Sequence, residues 1–200
     1  MSTTFPGSGI LAGAARQVRR LFSPAPERVR ADRILARIIG HVRNPGFYQA
    51  GGVADTIDGR FDLMALHVAA MVHALRQQGQ EGALAGRALE EAMFDNLDAA
   101  MREQGISDMG VPRRMKSLSS AWFGRLIAYG KAFATSDPAE MSEILLRNLY
   151  RGVPPSAPQI ATMVDYVGAL NAALAAQGAA ILHTENVFMA DVPSDGRMPT

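Results

Sequence analysis

Four histidines, His41, His67, His73 and His183, are the side chains of this chain that can move a proton near neutral pH or hold a divalent metal. A carboxylate-bridged iron site in a helical bundle needs Glu-x-x-His pairs, because that spacing puts both ligands on one helical face. None of the four has a Glu or Asp three residues away on either side. His67 and His73 stand six apart, which turns them to different sides of one helix. All four therefore read as structural, and no metal or cofactor set is indicated. The string Gly7 to Ala12, "GSGILA", fits the loose dinucleotide fingerprint, but that loop must follow a strand and only six residues precede it. Neither a Gly-Lys-Ser/Thr phosphate loop nor a Gly-x-Ser-x-Gly nucleophile elbow occurs. The absence of cysteine removes disulfides, thiolate metal sites and thiol nucleophiles together, and suits a reducing compartment. An enzyme on this chain would need a deep pocket lined by perturbed groups, with His67, Glu90 and Asp98 as the side chains to draw on.

The charges say more. Net charge is +1, so no global field draws the chain to nucleic acid or anionic lipid, and any electrostatic role is local. Six acids stand between Glu90 and Asp108: Glu90, Glu91, Asp95, Asp98, Glu103 and Asp108. From Met109 to Ser136 there are five cations, Arg113, Arg114, Lys116, Arg125 and Lys131, and no acid. Two helices joined by a short linker lie antiparallel, so Arg125 and Lys131 are expected to pair with the acidic helix before them. Arg113, Arg114 and Lys116 are different. Pro112 opens their helix, which puts them at the positive end of its dipole at a cost of about 0.3–1 kcal/mol each. Successive positions point about 100° apart, so Arg113 and Arg114 cannot both face one neighbour. With Trp122 and Phe123 further along, the cluster reads as a surface for phosphate, nucleic acid or an acidic peptide.

The elements that position these groups are helical nearly throughout, since strict alternation at strand length is absent. The composition, 48% hydrophobic over 200 residues, suits one domain: an irregular all-α bundle of six to seven helices. Residues 1–26 contain no acid; Ile10, Leu11, Ala14, Val18, Leu21 and Phe22 share one helical face, with Arg16, Arg19 and Arg20 opposite. Arg16, Arg19, Arg20, Leu21 and Phe22 are expected to give weak attachment to an anionic membrane surface. The helical domain spans 27–178. Its helices are expected from Glu27 to Arg43, from about Phe61, from Ala83 to Gln104, from Pro112 to Phe133, after the Asp137-Pro138 cap, and from Ser156 or Ala157. The one starting near Phe61 carries apolar residues on most faces and should be central. Residues 179–200 read as a loose tail. The uncharged run Tyr166 to Leu182 is Ala- and Gly-rich with Asn171 and Gln177 inside it, and reads as part of a soluble helix. Eleven methionines either fill the core or build an adaptable groove for apolar partner segments.

Several uncommon strings occur in one order: Phe47-Tyr48 before Gly52-Val53, then Asp55-Thr56-Ile57-Asp58-Gly59-Arg60-Phe61. Met93-Phe94 with Asp95 and Asp98 follows, then Gly105 to Asp108, Val111 to Lys116, and Phe123-Gly124-Arg125. In these strings, over roughly Glu27 to Tyr150, the chain resembles the ubiquinol–cytochrome c reductase chaperone family.

The resemblance implies an all-helical, non-enzymatic assembly factor of the cytochrome bc1 complex. It implies newly made cytochrome b as the partner, with a small partner protein and the ribosome near its exit tunnel as further contacts. It further implies a bacterial member working in the cytoplasm at the inner membrane, or a mitochondrial one if residues 1–22 are a transit segment. The expected partner surface is then Arg113, Arg114, Lys116, Trp122 and Phe123 on one helix, with Phe47, Tyr48 and Arg60 beside it.

Overall fold

The computed structural model describes residues 26–103 and 110–194. Seven helices are seen there: α1 (Pro26–Val42), α2 (Gly46–Gln49), α3 (Ile57–Arg76), α4 (Gly79–Glu103), α5 (Gly110–Thr135), α6 (Pro138–Asn148) and α7 (Ala157–Ala176). A 3-10 turn, Gly178–Leu182, follows α7, and no strand occurs among the described residues. The all-α bundle expected from the sequence is the fold. The basic N-terminal stretch, with Arg16, Arg19, Arg20, Leu21 and Phe22, lies outside the described residues.

Helix α3 is the axis. Every residue from Asp62 to Val72 is buried, and α1, α4, α5 and α7 all pack on it. Such a helix has no solvated stripe along this run, so its sequence there is apolar on nearly every side, with Asp62 and His67 as the buried exceptions. Its start comes at Ile57, four residues before the expected Phe61. Thr56 caps it in extended conformation, its Oγ1 accepting from Gly59 N at 3.1 Å. Asp58-Gly59 looks like a turn in the sequence, yet Gly59 is helical. A Cβ at Gly59 would stand 2.0 Å from the carbonyl oxygen of Ala54, because the approaching loop folds flat across it. The same device advances α4 from Ala83 to Gly79: a Cβ at Gly82 would meet Leu75 O at 1.8 Å. Both glycines serve close approach within helices.

The later caps follow the sequence. Asp137 accepts from Ala139 N at 2.9 Å with Pro138 next, and Ser156 N donates to Gln159 Oε1 at 3.1 Å. The C-terminal stretch does not behave as the loose tail expected. Ile181, Leu182, Val187 and Ala190 are buried in the core. Arg30 donates to Leu182 O, Arg33 pairs with Glu185, and Arg37 Nη1 donates to Asn186 Oδ1 at 2.9 Å. Residues 178–194 thus strap α1 through arginines that a sequence pattern assigns to solvent.

Gly59→Ala is expected to lower stability by about 1–3 kcal/mol, the usual cost of forcing atoms into a filled site. Urea unfolding checks this, and an unchanged midpoint would show that the 53–56 loop moves aside freely.

Candidate functional site

An open groove of about 550 Å³ lies where the ends of α1 and α4 meet the starts of α3 and α5. Ile39 and Val42 come from α1, Tyr48 from α2, Ile57, Phe61 and Met64 from α3, Leu97 and Met101 from α4, and Leu118 from α5. Helix ends rarely offer so much apolar surface, and two local features produce it here. Tyr48 Oη donates to Val42 O at 2.7 Å, satisfying a terminal carbonyl of α1 while its ring faces the groove. The early start of α3 then carries Ile57 out to the rim, where it is 74% exposed. Arg43, Arg60, Arg114 and Asp58 stand around this apolar floor. Arg60 Nε donates to Asp55 at 2.7 Å, and its guanidinium carbon lies 5.9 Å from the Tyr48 ring centre.

The wall formed by α3 is held by a buried ion cluster. Asp62, 0% exposed, has Oδ1 2.7 Å from Arg125 Nη2 of α5, while Oδ2 accepts from Arg151 Nε. Arg151 also reaches Asp58 at 2.9 Å. Burial pushes the Asp62 carboxyl upward, and the two guanidiniums pull it back. Arg151 adopts φ +52°, a region that non-glycine residues enter only when their surroundings hold them there. Arg125 also lies 5.5 Å from the centre of the Phe61 ring. One cluster therefore fixes α5, the α6–α7 connection and the first turns of α3 against each other.

This overturns the expected pairing of Arg125 and Lys131 with the acidic helix. Arg125 goes to Asp62, and Lys131 Nζ to Glu140 at 2.7 Å. The acids of α4 turn to other partners: Glu90 to Arg76, Asp95 to Arg28, and Asp98 to Arg102. The expectation paired consecutive helices, whereas α4 packs chiefly on α3 and α1.

Of the expected partner surface, the structure brings Tyr48, Arg60 and Arg114 together in the groove. Arg113 and Lys116 are exposed on the first turns of α5 outside it, and Phe123 is 55% exposed further along that helix. Two assignments are corrected. Trp122 is fully buried, its Nε1 donating to Glu90 Oε2 at 3.2 Å, because it lies on the inward stripe with Leu126 and Tyr129. Phe47 is fully buried too, since α2 turns it inward against His41, His67 and Tyr166. Sequence reasoning missed Arg43, Ile57, Phe61, Leu97 and Leu118 as a shared surface. Its one available signal was apolar Ile57 and Phe61 at the start of a helix expected to be central. Met71, Met93 and Met163 are core, Met64 is buried while also touching the groove, and Met101 lines the groove half-buried.

His67, Glu90 and Asp98, the side chains named for an enzyme, are bonded within the fold. His67 Nδ1 donates to Leu63 O at 2.8 Å, so its Nε2 accepts from Tyr166 Oη at 2.5 Å; Tyr166 Oη in turn accepts from His41 Nε2 at 3.0 Å. Burial lowers His67 to about 3, which keeps it neutral. Glu90 serves Arg76 and Trp122, and Asp98 serves Arg102. None of His67, Glu90 and Asp98 lines the groove.

A helical bundle with an open, arginine-rimmed apolar groove at its helix ends is a binding domain in form. Among the described residues no helix is long and apolar enough to cross a membrane. The chain belongs to the ubiquinol-cytochrome C chaperone family, whose model matches residues 49–188. It is 22% identical over 121 residues to ubiquinol-cytochrome-c reductase complex assembly factor 1 of Xenopus laevis, a match covering 60% of each protein. The chain thus matches less than two thirds of that relative's length. It also resembles the crystal structure of the Cbp3 homolog from Brucella abortus, with a TM-score of 0.72 and 25% identity. That superposition covers 92% of this chain and 97% of the other.

Asp62→Ala leaves Arg125 half-buried beside an empty site, and is expected to cost about 3–5 kcal/mol in a urea titration. A loss under about 1 kcal/mol would mean the cluster holds nothing. His67 is lowered in the fold, so the unfolded chain takes its proton first. The stability linked to it is complete above about pH 6.5 and declines as pH falls toward about 3. His67→Gln should flatten that decline by up to about 1.4 kcal/mol per pH unit. Identical slopes in both proteins would place the acid sensitivity elsewhere.

Proposed function

We propose that the protein is an assembly chaperone of the cytochrome bc1 complex that holds unassembled cytochrome b and carries out no reaction itself. Family membership and the name of the Xenopus relative support the complex as its field of action. The observation that carries the reading is the groove, an apolar floor left open at the helix ends and built largely from residues of α3 between Ile57 and Met64, of α4 between Asn96 and Met101, and of α5 between Arg114 and Leu118. A subunit that will later be buried in lipid and protein exposes apolar segments until then. A half-open groove with flexible methionines can cover such a segment and release it.

The setting we propose is the cytoplasm beside the inner membrane, with residues 1–22 giving reversible surface attachment. Their acid-free, arginine-bearing composition supports that. Arg113 and Lys116 remain exposed beside the groove, and suit a second contact, with the ribosome near its exit tunnel or a small partner protein.

Deleting the gene should lower the level of mature bc1 complex in membranes, and Ala100→Trp, which fills the groove from α4, should reproduce most of that loss. Recovery of newly made cytochrome b with the tagged chain should fall in parallel. Normal bc1 levels in the deletion strain would overturn the proposal.

A further inference from the structure

The charges around the groove do not balance, and the imbalance describes what the groove is made to hold. Two of its four charged side chains are already neutralised: Arg60 by Asp55, and Asp58 by Arg151. The other two, Arg43 at the end of α1 and Arg114 at the start of α5, have no acidic partner among the described residues. Both are exposed, and both stand against the same apolar floor. Guanidiniums beside a surface that a ligand will cover are left unpaired at a cost once water is excluded, unless the ligand brings the counter-charge.

The size of the groove narrows the shape. Two turns of helix are about 11 Å long and about 10–12 Å across, so sinking them to half their girth displaces roughly 400–600 Å³. The groove offers about 550 Å³. Resting on the client-binding reading above, we infer that the groove takes about two turns of an apolar helix carrying a carboxylate side chain at its flank, with Arg43 and Arg114 as the residues that select it. Its apolar side chains meet Phe61, Leu97 and Leu118 on the groove floor. The arginines favour acid-flanked segments over base-flanked ones.

Two labelled 12-residue peptides test this, each with leucines at i, i+3, i+4 and i+7, one flanked by glutamates and the other by lysines. Fluorescence anisotropy with the full chain at low salt should show the glutamate peptide binding at least tenfold tighter. The Arg43→Glu/Arg114→Glu double variant changes only exposed side chains; circular dichroism should show it folded, and its preference should invert to the lysine peptide. Equal affinities for the two peptides, or a preference unchanged in the double variant, would overturn the inference. So would displacement of the glutamate peptide by an equimolar amount of dodecanoate, which would make the occupant a small anionic amphiphile. Ala100→Trp separates the levels. If the unaltered chain binds the two peptides equally and Ala100→Trp abolishes binding of both, the acid selection alone is wrong. If both still bind, the groove is not the binding surface, and the selection falls with it.

Discussion

A carboxylate with no exposure to water, Asp62, holds the structure in the form that makes a groove. Taking an ionised acid out of water costs several kcal/mol, and only close, well-placed cations offset that. Arg125 from α5 and Arg151 from the α6–α7 connection converge on it and in doing so fix three elements at one point. An apolar residue of similar volume in place of Asp62 would pack the helix as well. It would not set the rotation of α3, and that rotation turns Phe61 to the groove wall and Asp58 to Arg151. The cluster acts on the site through geometry, since Asp62 itself never reaches the groove.

Deeper in the interior, polar side chains bond to one another. His67, Tyr166 and His41 form a directional chain of hydrogen bonds that ends on the Leu63 carbonyl, with Phe47 packed edge-on against their rings. Both ring nitrogens of His67 and the Tyr166 hydroxyl are paired, which is the condition for burying them. What remains open to a partner is a shape and a charge pattern, on a floor containing two methionines whose side chains can adapt.

The fold was largely legible in the sequence because its signals are local. Circumferential apolarity marked α3 as central, and Asp137-Pro138 and Ser156 announced the starts of α6 and α7. Glycines misled at two helix starts, where Gly59 and Gly82 serve close contact within helices, a requirement set by how the backbone at Ala54 and Leu75, five and seven residues earlier, folds back on them. The site was legible only in part. The cation cluster pointed to Arg114 and the strings shared with a family to Tyr48 and Arg60, three side chains that line one groove, but Trp122 and Phe47 were taken with them and are buried. One residue of offset on a helix, from Trp122 to Phe123, is the difference between core and surface. The Asp62 cluster escaped altogether. It joins residues 62, 125 and 151, and no local pattern marks an acid inside an apolar helix as the partner of arginines so far along the chain. The C-terminal strap escaped for a related reason: it is irregular, and its anchors are arginines on another element.

The central claim is that an unassembled cytochrome b segment occupies this groove. Site-specific photocrosslinking in cells tests it most directly, with a photoreactive amino acid at Ser117 in the groove and, for comparison, at exposed Arg87 on α4 outside it. The account predicts a crosslink to newly made cytochrome b from position 117 that is absent from position 87. Equal crosslinking from both positions, or none from 117 while the complex assembles normally, would contradict it.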